Sequence, residues 1–356
     1  MARRRRARSL RKSRLPWARL LTVCVAVAAL VAGGGFYAVR MRLVAFGTEP
    51  GKHDFGERIV VTVAPGATPA QVARQLADVG VVADADDFVR WLRRVAKQEN
   101  TIKAGTYALS PAMTPEEVLR ELQKGTQLEL RFTVPEGLRK EEVAVIIADA
   151  GFSTVDDILL VMADAELIAD CGAPDVPGGL DGYLFPDTYQ FPPGTPPRRI
   201  VRRLCARLAE FVDDRLKDRM AVVGFDLHQT LTLASIIEEE TGLSRERRRV
   251  SAVFHNRLRK GMKLQTDPTV LYGTPTVGGT IRKSDLLREH PYNTYVVEGL
   301  PPGPICQPGL ASIQAALFPA REDAIFFVAV GDGSHEFCAD LECHEAAVAR
   351  YRARQQ

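Results

Sequence analysis

Apolar and polar positions alternate along the chain in distinct rhythms. From Leu20 to Val39 the sequence LLTVCVAVAALVAGGGFYAV runs twenty residues without a charge. That is about the length a helix needs to cross a hydrocarbon core of roughly 30 Å. From Arg58 the alternation in RIVVTV predicts a strand. Thr68-Pro69-Ala70-Gln71 follows, a capping box with proline at the first helical position, and opens the helix AQVARQLADVG. The device recurs at Thr114-Pro115-Glu116-Glu117 before EVLRELQKG, behind the short strand GTYAL. A third version, VPEGLRKEEVAVIIADAG, starts near Val134. Gly80, Gly125 and Gly151 close these helices as C′ residues. The expectation is small α+β modules up to about residue 130, then a larger unit. Beyond a Gly- and Pro-rich stretch with the aromatics GYLFPDTYQF, RRIVRRLCARLAEFVDDRL resumes amphipathic helix from about Pro197. The aromatics suit either a carbohydrate face or a packed core.

Charge gives the first segment an orientation. The 356 residues carry a net charge of +3, yet 11 of the 47 Lys and Arg lie at or before Arg42, where there is no Asp or Glu. The remainder holds 36 basic against 44 acidic residues. The positive-inside rule keeps the head, residues 1–19, cytoplasmic, makes 20–39 a single membrane span and sends the body outside. A cleavable signal peptide shares the basic start and apolar run, but the length of the run and the Arg40/Arg42 flank favour an anchor, with 40–57 as a tether. An acidic body argues against nucleic acid as a partner. Cys24, Cys171, Cys205, Cys306, Cys338 and Cys343 form no disulfide framework by spacing. His335, Cys338, Cys343 and His344 match no common zinc pattern, so no metal is expected, and the two cysteines are left as free thiols or a local bridge.

The most informative stretch is Leu231 to Gly273. Leu233, Ile236, Ile237 and Glu240 stand at i, i+3, i+4 and i+7, one stripe of a helix. At about 100° per residue, Glu240 falls inside the apolar arc, while Glu238 and Glu239 fall on its flanks. Glu240 alone of the three is expected to point inward, in the last turn before Thr241-Gly242. A carboxyl against apolar surface, at the negative end of a helix dipole, has its pKa raised. A carboxylic acid protonated near neutrality is what glycosidic cleavage requires of its proton donor. Val250, Val253, Phe254 and Arg257 repeat the stripe on the next helix, so pattern alone leaves open whether Glu240 is a catalytic acid or the ion-pair partner of Arg257.

The runs ASIIEEET…SRERRRVSAVFHNRLRKGMKLQTDPTVLYG and PYNTYVVEGLPPGPICQPG, with KAGTYAL, VPEG, LFPDTY and GSHEF, resemble the endolytic murein transglycosylase (YceG-like) family over most of the chain. The resemblance implies a membrane-anchored α+β enzyme with a LysM-like subdomain, here 58–130, and a catalytic domain, here 131–356. It implies cleavage of nascent peptidoglycan between N-acetylmuramic acid and N-acetylglucosamine, leaving a 1,6-anhydromuramic end and limiting strand elongation. The family's catalytic glutamate is the second Glu of an E-K-E triplet and matches Glu240; Glu239 departs from the usual Lys, and Cys338 and Cys343 stand where polar residues are usual. The expected partners are glycan strands and peptidoglycan synthases, with no cofactor, at the cell inner membrane.

Around Glu240, the residues Gln265, Thr266, Asp267, Tyr292, Asn293, Tyr295 and Arg257 are candidates for substrate contact by their hydrogen-bonding or stacking chemistry. Asp267 is also a candidate second carboxylate or, with Pro268, a helix N-cap. Two rival readings stand beside the transglycosylase: a muramidase, which needs a second carboxylate roughly 5–9.5 Å away, and a non-catalytic cell-wall adaptor.

Overall fold

The computed structural model describes residues 17–50, 58–97, 102–125, 128–272 and 281–355. The basic head up to residue 16, and 51–57 of the expected tether, lie outside the described residues. The chain divides into two compact units, up to Leu128 and from Glu129. Both mix helices with small antiparallel sheets, an α+β architecture.

The first unit contains α1 (Trp17–Thr48), β1 (Ile59–Val63), α2 (Pro69–Asp78), α3 (Ala85–Trp91), β2 (Gly105–Leu109) and α4 (Pro115–Lys124). α1 is long and apolar enough to span a membrane, and its side chains from Leu20 to Arg42 are exposed. It continues to Thr48 through residues expected to form the start of a tether. The cause is packing: Leu43 is buried in the unit's core, and Gly47 lies so close to the Trp91 ring that no side chain fits there. β1 and β2 pair antiparallel with Val61 opposite Tyr107. Both predicted capping boxes form, Thr68 with Gln71 and Thr114 with Glu117.

The second unit runs β3 (Leu130–Thr133), α5 (Lys140–Asp149), α6 (Val155–Met162), α7 (Ala165–Asp170), β4 (Thr188–Phe191), α8 (Pro197–Phe211), α9 (Asp214–Val223), α10 (Leu227–Glu240), α11 (Arg247–Arg259), α12 (Asp267–Tyr272), α13 (Lys283–Leu286), α14 (Leu310–Leu317), β5 (Phe326–Ala329), β6 (His335–Cys338) and α15 (Leu341–Gln355). β3 pairs with β4 and β5 with β6, both antiparallel. The third capping device starts later than its pattern predicts, with the Arg139 N–H donating to Glu142. Pro135 and Gly137, the latter at φ +83°, make a turn first. Its backbone is tied down elsewhere: Gly137 N–H donates to Gln307 O, and Gln307 N–H to Leu138 O. The aromatics Tyr183, Phe185, Tyr189 and Phe191 are core. Cys171–Cys205 joins α7 to α8, a bridge that spacing did not suggest, and Cys338–Cys343 is also bridged. The second bridge consumes the sulfur ligands of any metal at that cluster.

Candidate active site

α10 is the axis of the second unit. Asp226 caps it, accepting from Gln229 N–H while Gln229 accepts from Asp226 N–H. Every residue from Thr230 to Ile237 is buried. Its polar members are satisfied within the helix: Thr230 donates to Asp226 O, Thr232 to His228 O and Ser235 to Thr232 O. Ser235 Oγ also accepts Ile305 N–H at 3.0 Å, which fastens the loop before α14 onto the helix. Thr241 then turns extended, φ −149° and ψ 124°, and the helix stops.

Glu240 ends the stripe of Leu233, Ile236 and Ile237, all fully buried. Its Oε1 accepts the Thr266 hydroxyl. Burial pushes its carboxyl up to about 7; the Thr266 bond and the Arg257 charge pull down, while Asp267 and Glu239 push up. Thr266 is presented by a bent loop. Gln265 holds φ +51°, uncommon for a residue with a side chain, and its N–H donates to Thr294 O. Thr266 N–H donates to Thr294 Oγ1 at 3.0 Å, and Thr269, whose hydroxyl donates to Thr266 O, meets Thr294 Oγ1 at 2.8 Å. A left-handed non-glycine costs about 1–3 kcal/mol, which this buried threonine cluster offsets.

Arg257 does not form an ion pair with Glu240. It is buried, with Nε donating to Ile325 O at 2.7 Å and Nη1 to Leu264 O at 2.5 Å, and its guanidinium lies 5.4 Å from the Phe326 ring centroid. By bonding Leu264 O it fixes the residue that precedes the Gln265–Thr266 bend.

The expectation that Glu240 alone points inward is corrected. Glu238 has a side chain only 7% exposed. It pairs with Arg247 at 2.8 Å and accepts Gly309 N–H at 2.9 Å. The reason is that α10 is enclosed on nearly all sides, so a flank position is also interior. Glu136 of VPEG lies with its carboxylate against Gly309, and its carboxyl is raised by burial and by Glu238. Glu239 stays exposed, and partial burial raises its carboxyl, while the neighbouring Cys306 thiol donates to Ser235 O.

Among the other candidates, Asp267 opens α12 and accepts the Tyr295 hydroxyl at 2.6 Å, at the exposed edge of the same loop as Gln265. Tyr292 and Asn293 are buried and already bonded. The Tyr292 hydroxyl donates to Pro177 O, and Asn293 Nδ2 donates to the carbonyls of Asp285, Leu286 and Arg288. They hold the loop rather than offer polar groups to a ligand. Periodicity did not flag Asp181, wholly buried, which accepts from Lys140 N–H, Lys140 Nζ, Tyr272 Oη and Gln307 Nε2. It thereby ties the last residue of α12 to the loop that crosses α10.

The YceG-like family profile matches residues 61–350, the span that contains all of these groups. The chain belongs to the YceG-like family. This YceG-like chain is similar to the endolytic murein transglycosylase of Bacillus subtilis (strain 168), 30% identical over 336 residues that span 90% of this chain and 91% of that one. It is similar as well to the endolytic murein transglycosylase of Streptococcus pneumoniae serotype 2 (strain D39 / NCTC 7466), 26% identical over 359 residues, 91% of this chain and 63% of that one. The crystal structure of a yceG-like protein from Listeria monocytogenes superposes with a TM-score of 0.57 at 31% identity, covering 82% of this chain and 99% of that one.

Proposed function

We propose that this protein is a membrane-anchored lytic transglycosylase that cleaves the bond between N-acetylmuramic acid and N-acetylglucosamine in nascent peptidoglycan. The observation that carries this reading is the Glu240 carboxyl, desolvated at the end of α10 and raised to about 7. Such a group is protonated below neutrality and ionised above it, so it serves as both acid and base near its own pKa.

Glu240 donates its proton to the glycosidic oxygen as that bond breaks. The resulting carboxylate then takes the proton of the muramic 6-hydroxyl, whose oxygen attacks the anomeric carbon of its own ring. The attack is intramolecular, with a large effective molarity, so no water needs activation by a second carboxylate. The Thr266 hydroxyl orients Glu240 through Oε1, and Gln265, Asp267 and Tyr295 line the exposed edge where a glycan would lie. The first unit, with its β–α–α–β order, is read as a LysM-like module holding the strand, and peptidoglycan synthases as the partners whose product is cut.

The two disulfides support an extracytoplasmic body, because such bridges persist in oxidising compartments. With the basic head, this supports reading a single-pass topology with the N-terminus cytoplasmic. Mass spectrometry of glycan fragments released by the purified full chain tests the reaction. Anhydromuramic ends support transglycosylation; reducing muramic ends would make the protein a hydrolase, and no cleavage would leave an adaptor.

A further inference from the structure

A cleft of about 600 Å³ lies along the exposed face of α14, walled by the α8–α9 junction on one side and by the start of α11 on the other. Its floor is apolar, with Phe211, Leu216, Leu310, Ala315 and Phe318. Its rim carries the guanidinium groups of Arg215 and Arg248, and the buried Arg247 forms part of its wall. The two carboxylates on the rim are already engaged. Glu210 pairs with Arg203 and Arg207, and Asp213 caps α9 by accepting Leu216 N–H.

The arginines are held with donors to spare. Arg248 donates only Nε, to Phe318 O at 2.7 Å, and Arg215 sits 5.3 Å above the Phe318 ring. Among the described residues nothing pairs with the terminal nitrogens of either. Arg247 differs: it is more than nine-tenths buried, Nη1 donates to Ser244 Oγ and Nη2 to Glu238, and only its Nε has no partner. The planar guanidinium groups of Arg215 and Arg248, with free terminal N–H groups, match the fork geometry of a carboxylate.

We propose that this cleft is a second binding site, which takes the free carboxylate of a short peptide attached to the glycan on which Glu240 acts. The proposal rests on the glycan-cleaving reading and adds the substrate's peptide to it. The apolar floor with small alanine positions suits a peptide better than a bare sugar chain. The cleft also reports to the site: Arg247, on its wall, pairs with Glu238, two residues before Glu240. Two residues are about 200° of helix, so the cleft and Glu240 lie on opposite flanks of the α10 terminus. Half the circumference of a helix about 10–12 Å across is roughly 16–19 Å, and an extended pentapeptide reaches roughly 17–18 Å. A peptide on the bound sugar is long enough to pass around the helix end.

The test uses the full chain in detergent and three substrates: glycan strands whose peptides bear free carboxylates, the same strands with those carboxylates amidated, and strands stripped of peptide. The wild type is expected to show kcat/KM at least about tenfold higher on the first, most of the difference in KM. The R215Q/R248Q variant loses that preference, and R215K/R248K, which keeps charge without the planar fork, retains part of it. Equal cleavage of all three substrates by the wild type would overturn the proposal, whatever the variants do. So would a preference that survives R215Q/R248Q in a protein whose circular dichroism melt is unchanged. Failure to cleave any of the three refutes the glycan-cleaving reading itself, a distinct outcome.

Discussion

The Thr266 hydroxyl donates to Oε1 of Glu240, joining the loop before α12 to the last residue of α10. A donor to a carboxylate stabilises the ionised form, and here it partly opposes burial. Removing it with Thr266→Val should raise the Glu240 pKa further. The limb of the pH–rate profile on which activity falls with rising pH should move to higher pH, while Thr266→Ser leaves it in place. A shift to lower pH in Thr266→Val would mean that the bond does not act on Glu240 in solution.

The wild-type profile has a defined sign. Cleavage needs Glu240 protonated, so the rate should fall as pH rises through about 7. Stability follows the same group. Its folded pKa lies above the ordinary glutamate value of 4.5, so the unfolded chain releases this proton first. The group's contribution to stability is intact below about 4.5 and lost as pH rises to 7, by about 3 kcal/mol from 1.36 kcal/mol per unit. Glu240→Gln should therefore raise Tm relative to wild type at pH 8 and have little effect at pH 4, measured by calorimetry.

Among the described residues Arg257 has two carbonyl partners and no carboxylate partner. Arg257→Met leaves Ile325 O and Leu264 O without a donor, and each charged hydrogen bond contributes about 1.5–3 kcal/mol. Tm should drop clearly in a thermal melt. Because the Arg257 charge lowers the Glu240 pKa, the pH limb should also shift upward. A direct ion pair in solution would instead show a wild-type limb near pH 4.

Much of this was legible in the sequence. Thr68/Gln71 and Thr114/Glu117 declare their helices because a capping box is local chemistry. Glu240 declares itself because a stripe at 3.6-residue spacing is a property of one helix. What failed was long-range. Glu238 looked like a flank residue, yet Arg247 and Gly309 enclose that flank. Asp181 gathers donors from Lys140, Tyr272 and Gln307, as far as 126 positions away, and no window of sequence contains that set. Tyr292 and Asn293 carried the right chemistry for a sugar, but folding spends their polar groups on Pro177, Asp285, Leu286 and Arg288. Thr294, which braces Thr266, was hidden as one threonine among the polar residues of PYNTY.

Cys171 and Cys205 are 34 positions apart, so their bridge restrains a loop in the unfolded chain. Loops of that size correspond to about 3–4 kcal/mol. Cys171→Ala/Cys205→Ala should lower Tm of the purified protein, and dithiothreitol should lower the wild type but not the double variant by that increment. Equal sensitivity of both proteins to the reductant would mean that the bridge is not formed.

The central claim is that helical geometry selects Glu240, and not its neighbour, as the proton-transfer group. The direct measurement is the rate of glycan cleavage by Glu240→Gln and Glu239→Gln, side by side at pH 6.5 (about half a unit below the Glu240 value). Glu240→Gln should lose about 10²–10⁴-fold with its fold intact, and Glu239→Gln, at an exposed position, should stay within about tenfold of wild type. Equal losses in the two variants, or full activity in Glu240→Gln, would contradict the account.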